Sequence, residues 1–230
     1  MNDRIYPPQT TALVLIDVLN DFLADDGKLH ASIAPMLDKT GFVAHVAQLL
    51  DGARAAGVKI IFAPHGTDEH SFDDIKHVHP RMQWALQNEV LRKGSYGADF
   101  YAPLRPRDAP APPPQASDLV PECNVQAGDV IVTKRQWGAF YGTDLEQQLR
   151  RRGIRTIALT GIATNFGVES TARTAFDQGY ELIFIEDAMS GLSEQTHRFP
   201  VEHIFPRMGF VRSTEEFVSA VAENGTFGGA

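Results

Sequence analysis

Short, continuous apolar runs separated by helix-like stretches constrain this chain more than any other feature. TALVLID (11–17), VKIIFAP (58–64), DVIVTK (129–134), TIALTG (156–161) and YELIFIED (180–187) lack strict polar alternation. Strands of that kind must be covered on both faces, which is the signature of a parallel sheet between helices. Between two of the runs, TGFVAHVAQLLDGARAAG (40–57) sets Phe42, Val43, Val46, Leu49, Leu50 and Ala53 on one helical stripe and stops at Gly57. TDLEQQLRRR (143–152) gives a second helix, with basic residues where the dipole favours them and Gly153 as the stop. A third runs from about Thr164 to Gln178, stopped by Gly179. A weaker strand near GFVRS and a helix over TEEFVSAVAE complete the series. Alternation of strand and helix predicts an α/β fold: a three-layer α-β-α sandwich with a mostly parallel, Rossmann-like central sheet. No second hydrophobic series follows, so one domain is expected over residues 1–230. APLRPRDAPAPPPQ (102–115) is too rich in proline for helix or central strand and reads as a surface excursion, to about residue 121, or an intersubunit arm. The tail NGTFGGA is expected to be loose.

Composition removes several function classes. A net charge of −8 argues against nucleic acid as partner, because phosphate binding needs clustered cations. The single cysteine, Cys123, excludes an internal disulfide and an all-cysteine zinc site. No apolar stretch approaches the roughly 20 residues that cross a bilayer, and MNDRIYPPQT lacks a signal-peptide pattern. A cytoplasmic protein with no membrane partner is therefore expected.

In an open parallel sheet, ligands bind beyond the carboxyl ends of the strands. Those ends carry Asp17, His65, Lys134 and the stretch Gly161 to Asn165. An aspartate that ends a strand can be a simple turn cap, and Lys134 an ordinary solvated lysine. A carboxylate, an amine and a helix N-terminus on one edge also make a candidate acid–base site, because burial of such a pair perturbs both pKa values. Phe22, Trp137, Phe140 and Tyr141 fit an apolar pocket wall, and fit a core equally well. The segment HGTDEHSFDDIKHVH (65–79) invites a metal reading, yet polar residues at a cleft rim explain it better, and neither metal nor cofactor is expected.

Three ordered motifs resemble the isochorismatase-like hydrolases: LVLIDVLNDF (13–22), VTKRQWGAFYGTDLEQQLRRRGI (132–154) and LTGIATNFGVESTARTAFDQGY (159–180), followed by IEDAMS (185–190). The resemblance extends from about Thr11 to Ala222. It implies that Asp17 and Lys134 hold two positions of an Asp–Lys–Cys triad, and that the cysteine position falls on Gly167. It also implies a cis peptide between Ile162 and Ala163, backbone N–H groups of Ala163 and Gly167 facing an anion or oxyanion, and a homo-oligomer, dimer or tetramer. His65, Thr164 and Asn165 join the expected substrate pocket. Where the nicotinamidases of that family place an Asp-x-His pair, this chain has His65 and Thr67, so that pattern is broken.

Glycine supplies no nucleophile. Cys123 precedes the strand that ends at Lys134 and is expected more than about 10 Å away, at roughly 3.3 Å per residue. The expectation is thus a thiol-independent hydrolase of a small anionic metabolite. In the leading form, resembling isochorismatases with glycine at this position, Asp17 protonates a vinyl ether and water adds where glycine leaves room. The alternatives are amide or ester hydrolysis by Asp17-activated water, and a retired enzyme that only binds a small molecule.

Overall fold

The computed structural model describes residues 6–73, 75–107 and 128–225. Six strands are β1 (Thr11–Ile16), β2 (Lys59–Ala63), β3 (Val130–Ile131), β4 (Thr156–Ile162), β5 (Glu181–Ser190) and β6 (Gly209–Arg212). Eight helices are α1 (Asn20–Leu23), α2 (His30–Thr40), α3 (Phe42–Ala55), α4 (Pro80–Gln87), α5 (Leu145–Arg150), α6 (Glu169–Asp177), α7 (Glu194–Phe199) and α8 (Thr214–Gly225). Every strand pair is parallel, in the order β3-β2-β1-β4-β5-β6. The chain therefore winds outward one way from β1 through β2 to β3, and the other way from β4 to β6. The reversal between β1 and β4 leaves a crevice at the carboxyl ends of the strands, where side chains from both halves meet.

Continuous apolar strands produce this architecture because their alternate residues supply two cores. Leu13, Leu15, Ile60, Phe62, Ala158 and Ile183 pack against Ile33 and Leu37 of α2, Val46 and Leu49 of α3 and Phe217 of α8. Ala12, Val14, Ile16, Ile61, Leu159 and Phe184 face Leu145 and Leu149 of α5 and Ala172 and Ala175 of α6. Each fully buried Leu or Ile contributes about 1.5–3 kcal/mol. A one-residue slip of β1 would exchange its two faces.

Several elements depart from the sequence reading. The run 129–134 forms only a two-residue β3. Even so, Val132 N–H bonds Phe62 O at 2.8 Å and Lys134 N–H bonds Pro64 O at 2.9 Å, which carries the extended chain to the crevice. β5 continues beyond the apolar run to Ser190, after a register shift between Leu159 and Gly161. α2 and α4 were not anticipated. α2 carries an internal proline, Pro35, and α4 buries no residue, so it shows no stripe. Of the proline-rich stretch, Ala102–Leu104 forms a 3₁₀ turn that buries Leu104. Residues 108–121 of that expectation, Cys123 and the last five residues of the tail lie outside the described residues.

Candidate active site

Four strand ends converge around β1. Asp17 follows β1 with φ of 53°, a left-handed conformation that aspartate tolerates better than most residues. Its Oδ2 lies 2.7 Å from Lys134 Nζ, and its Oδ1 accepts a 2.7 Å hydrogen bond from the His65 backbone N–H. Both side chains are buried, Lys134 with 1 % exposure. Burial pushes the Asp17 carboxyl above its ordinary value, opposed by the Lys134 charge. Burial likewise holds Lys134 below the usual lysine range, opposed by Asp17. Desolvation and then the Lys134 charge drive His65 down to about 3, so its ring is neutral at neutral pH, and it bonds the Gln136 backbone.

β4 supplies the opposite wall. Gly161, with φ of 117°, pairs with Ile16, and a Cβ there would lie 2.1 Å from the Ile16 carbonyl oxygen. Only glycine permits this approach. The Ile162–Ala163 peptide is cis, as the sequence resemblance implied. Thr164–Val168 then forms a π-helical turn, with the N–H groups of Phe166 and Val168 both bonded to Ala163 O, and α6 continues from it. Gly167 lies in this turn. A Cβ built on it would be 2.7 Å from Ile16 Cγ2, 3.3 Å from Ile162 O and 3.4 Å from Trp137 O.

That last distance set shows the Cβ position of Gly167 already occupied by a neighbour. Ile16, fully buried at the end of β1, presses its branch methyl against the glycine. Asp17, Lys134, His65 and the turn from Ala163 to Gly167 come together as expected. Trp137 joins them: its ring lies 4.8 Å from that of Phe166, and its backbone oxygen faces Gly167. Thr164 is buried and bonded to His197 Nδ1 at 2.9 Å, and Asn165 has a buried, unpartnered Oδ1. Phe140 and Tyr141 stand apart. The Phe140 ring packs 6.1 Å from Tyr180 beside the α5–α6 core, and Tyr141 is 75 % exposed. Phe22 packs against the core on the α3 side.

Two features escaped the sequence reading. His197 of α7 reaches the turn after β4, and no local pattern in THRFP announces it. Asn20 and Asp21, inside the first motif, act as a clamp. Asn20 Nδ2 donates to Tyr96 O at 2.9 Å, and Asp21 accepts from Leu91 N–H at 2.7 Å and Lys28 N–H at 3.1 Å. They hold the segment 88–100, in which Glu89 and Leu91 adopt positive φ. A second aspartate four residues after Asp17, in a stretch otherwise apolar but for Asn20, was the available signal. In the 65–79 segment, Asp68 bonds Lys93 at 2.6 Å and Ser71 at 2.8 Å, which hold it down to about 2, while His70 pairs with Asp73 at 2.9 Å. A groove of about 640 Å³ opens there between Thr67 and α4, away from Asp17 and Lys134.

A buried acid–amine pair thus stands at the crevice of a doubly wound parallel sheet, opposite a turn at a helix start. The chain belongs to the isochorismatase family: residues 11–216 match the isochorismatase domain. It is 62 % identical over 109 residues to the uncharacterised isochorismatase family protein YwoC of Bacillus subtilis, covering 47 % of this chain and 58 % of that protein. It is 30 % identical to the ureidoacrylate amidohydrolase RutB of Rhizobium rhizogenes, covering 94 % of this chain and 85 % of that one. An isochorismatase family protein from Burkholderia thailandensis superposes with a TM-score of 0.65 at 33 % identity, over 95 % of this chain and 98 % of that structure. Among the described residues, no helix is long and apolar enough to cross a membrane.

Proposed function

We propose that this hydrolase cleaves a C–N bond in a small anionic amide or carbamoyl compound, by direct attack of water and without a thioester. The carrying observation is the buried Asp17–Lys134 contact of 2.7 Å beside a turn whose position 167 has no side chain. The Asp17 carboxylate takes a proton from water as the water oxygen adds to the substrate carbonyl. Lys134, paired to Asp17 Oδ2, orients the carboxylate towards the water it deprotonates. The backbone N–H groups of Ala163 and Gly167 hold the tetrahedral oxyanion. As the C–N bond breaks, Asp17 returns the proton to the leaving nitrogen, so a carboxylic acid and an amine result. Burial raises the Asp17 pKa, which makes the ionised form a stronger base. The likeness to a ureidoacrylate amidohydrolase over most of both chains favours amide over vinyl-ether chemistry.

The test is turnover of ureidoacrylate and a panel of small carboxylated amides by wild type and Asp17→Asn. Loss of about 10²–10⁴-fold in kcat is expected for the variant, together with full activity after iodoacetamide treatment. Activity that survives Asp17→Asn, or that alkylation abolishes, would refute the mechanism. The raised carboxyl of Asp17 also suits a general acid, so isochorismate with pyruvate detection is the second substrate to try. No turnover on either panel would leave small-molecule binding. A cytoplasmic homo-oligomer remains part of the proposal, with light scattering to read its assembly.

A further inference from the structure

One buried polar contact joins the turn after β4 to a helix that the chemistry above does not use. Thr164 Oγ1 lies 2.9 Å from His197 Nδ1, with Thr164 wholly buried and His197 6 % exposed. Thr164 is the first residue of the π-helical turn, and its neighbour Ala163 accepts the hydrogen bonds that close it. A shift at Thr164 therefore moves the backbone of both Ala163 and Gly167.

His197 is itself held from two directions. A capping box between Ser193 and Thr196 fixes the start of α7. α7 also sits against the chain leaving β5: the Cβ position of Gly191 lies 3.4 Å from both His197 N and His197 Cβ. β5 is in turn paired to β4, with Ser190 opposite Ile162. The imidazole is thus braced on the strand that precedes the turn, and it reaches across to the turn. Burial lowers the His197 pKa, consistent with a neutral ring sharing a proton with a hydroxyl.

We infer that His197 is a positioning residue, which acts through Thr164 to aim the Ala163 and Gly167 backbone at the reacting carbonyl. This inference rests on the hydrolytic reading of the site. A buried pair that served folding alone would change stability and leave the kcat-to-KM balance untouched. Misplacement of the turn instead lowers kcat about 10–100-fold with KM nearly constant.

The experiment compares wild type, His197→Leu, His197→Asn and Thr164→Val. Asparagine places a polar atom close to the imidazole Nδ1, so it should restore most of the kcat that leucine removes. Thr164→Val should match His197→Leu, and the double variant should lose no more than either. The amide resonance of Gly167, followed by NMR in the same proteins, should move in His197→Leu and return in His197→Asn. If wild type turns over none of the substrates, the hydrolytic reading fails, and the Gly167 resonance alone decides the positioning role. Equal kcat loss in the leucine and asparagine variants, or an unmoved Gly167 resonance, would overturn the inference. If His197→Leu does not fold, Thr164→Val carries the same test.

Discussion

Replacing Gly167 by alanine separates backbone preference from packing at the centre of the site. Gly167 has no left-handed φ, so alanine suits its conformation and should gain about 1 kcal/mol from reduced freedom of the unfolded chain. Against this stands the 2.7 Å approach of the new Cβ to Ile16 Cγ2, where carbon atoms prefer about 3.5–4.0 Å. Ile16 is β-branched, fully buried and paired on both sides within the sheet, so it has little freedom to turn away. Overpacking of this kind costs about 1–3 kcal/mol. Gly167→Ala should therefore be neutral to destabilising by about 2 kcal/mol. In an Ile16→Ala background, itself destabilised by about 2–5 kcal/mol, the branch methyl is gone and Gly167→Ala should stabilise. Urea unfolding of the four proteins gives the coupling energy, expected at about 1–3 kcal/mol. A coupling below about 0.5 kcal/mol, with alanine stabilising in both backgrounds, would show that Ile16 does not fill the space at Gly167. The cycle also bears on Gly167→Cys, whose Cβ would meet the same methyl.

Two further outcomes follow from buried groups. His65 titrates near 3 when folded against an ordinary 6.5, so the unfolded chain binds the extra proton as pH falls. Stability from this group is complete above pH 6.5 and declines towards pH 3, by roughly 5 kcal/mol in all; His65→Asn should flatten that part of the acid limb in urea titrations, and an unchanged slope would contradict it. Asp21→Asn should weaken the clamp on residues 88–100 by about 1.5–3 kcal/mol, seen as faster hydrogen exchange at the Leu91 amide, whereas unaltered exchange there would count against the clamp.

Strand placement was readable from sequence because the central strands are buried on both faces and so stand out as continuous apolar runs. Apolar runs at 11–17, 58–64 and 156–161 had no polar face to offer, so helices on both sides were required. Residues at strand ends were readable for the same reason: Asp17 and His65 are the first polar side chains after their runs, and Lys134 follows only Thr133 after its own. His197 was not, since its partner is 33 residues away and the contact depends on how α7 packs on the turn after β4. Nor was the Ile16 methyl against Gly167, because side-chain volume at a point is set by the spacing of β1 and the turn, which no periodicity encodes. Phe140 illustrates the converse. It sits inside a motif that resembles a site element, yet its ring belongs to the core beside α5.

The winding order has a consequence for durability. β3 occupies one edge of the sheet and is two residues long, while Asp17 follows β1 in the interior. Lys134 therefore reaches its carboxylate from the most weakly anchored strand, across a sequence separation of 117 residues. Edge elements open at lower free energy than the central strands they flank. On the mechanism proposed above, fraying at β3 would carry the amine away and leave the cores around β1 and β4 intact, so activity should be lost under milder conditions than the fold.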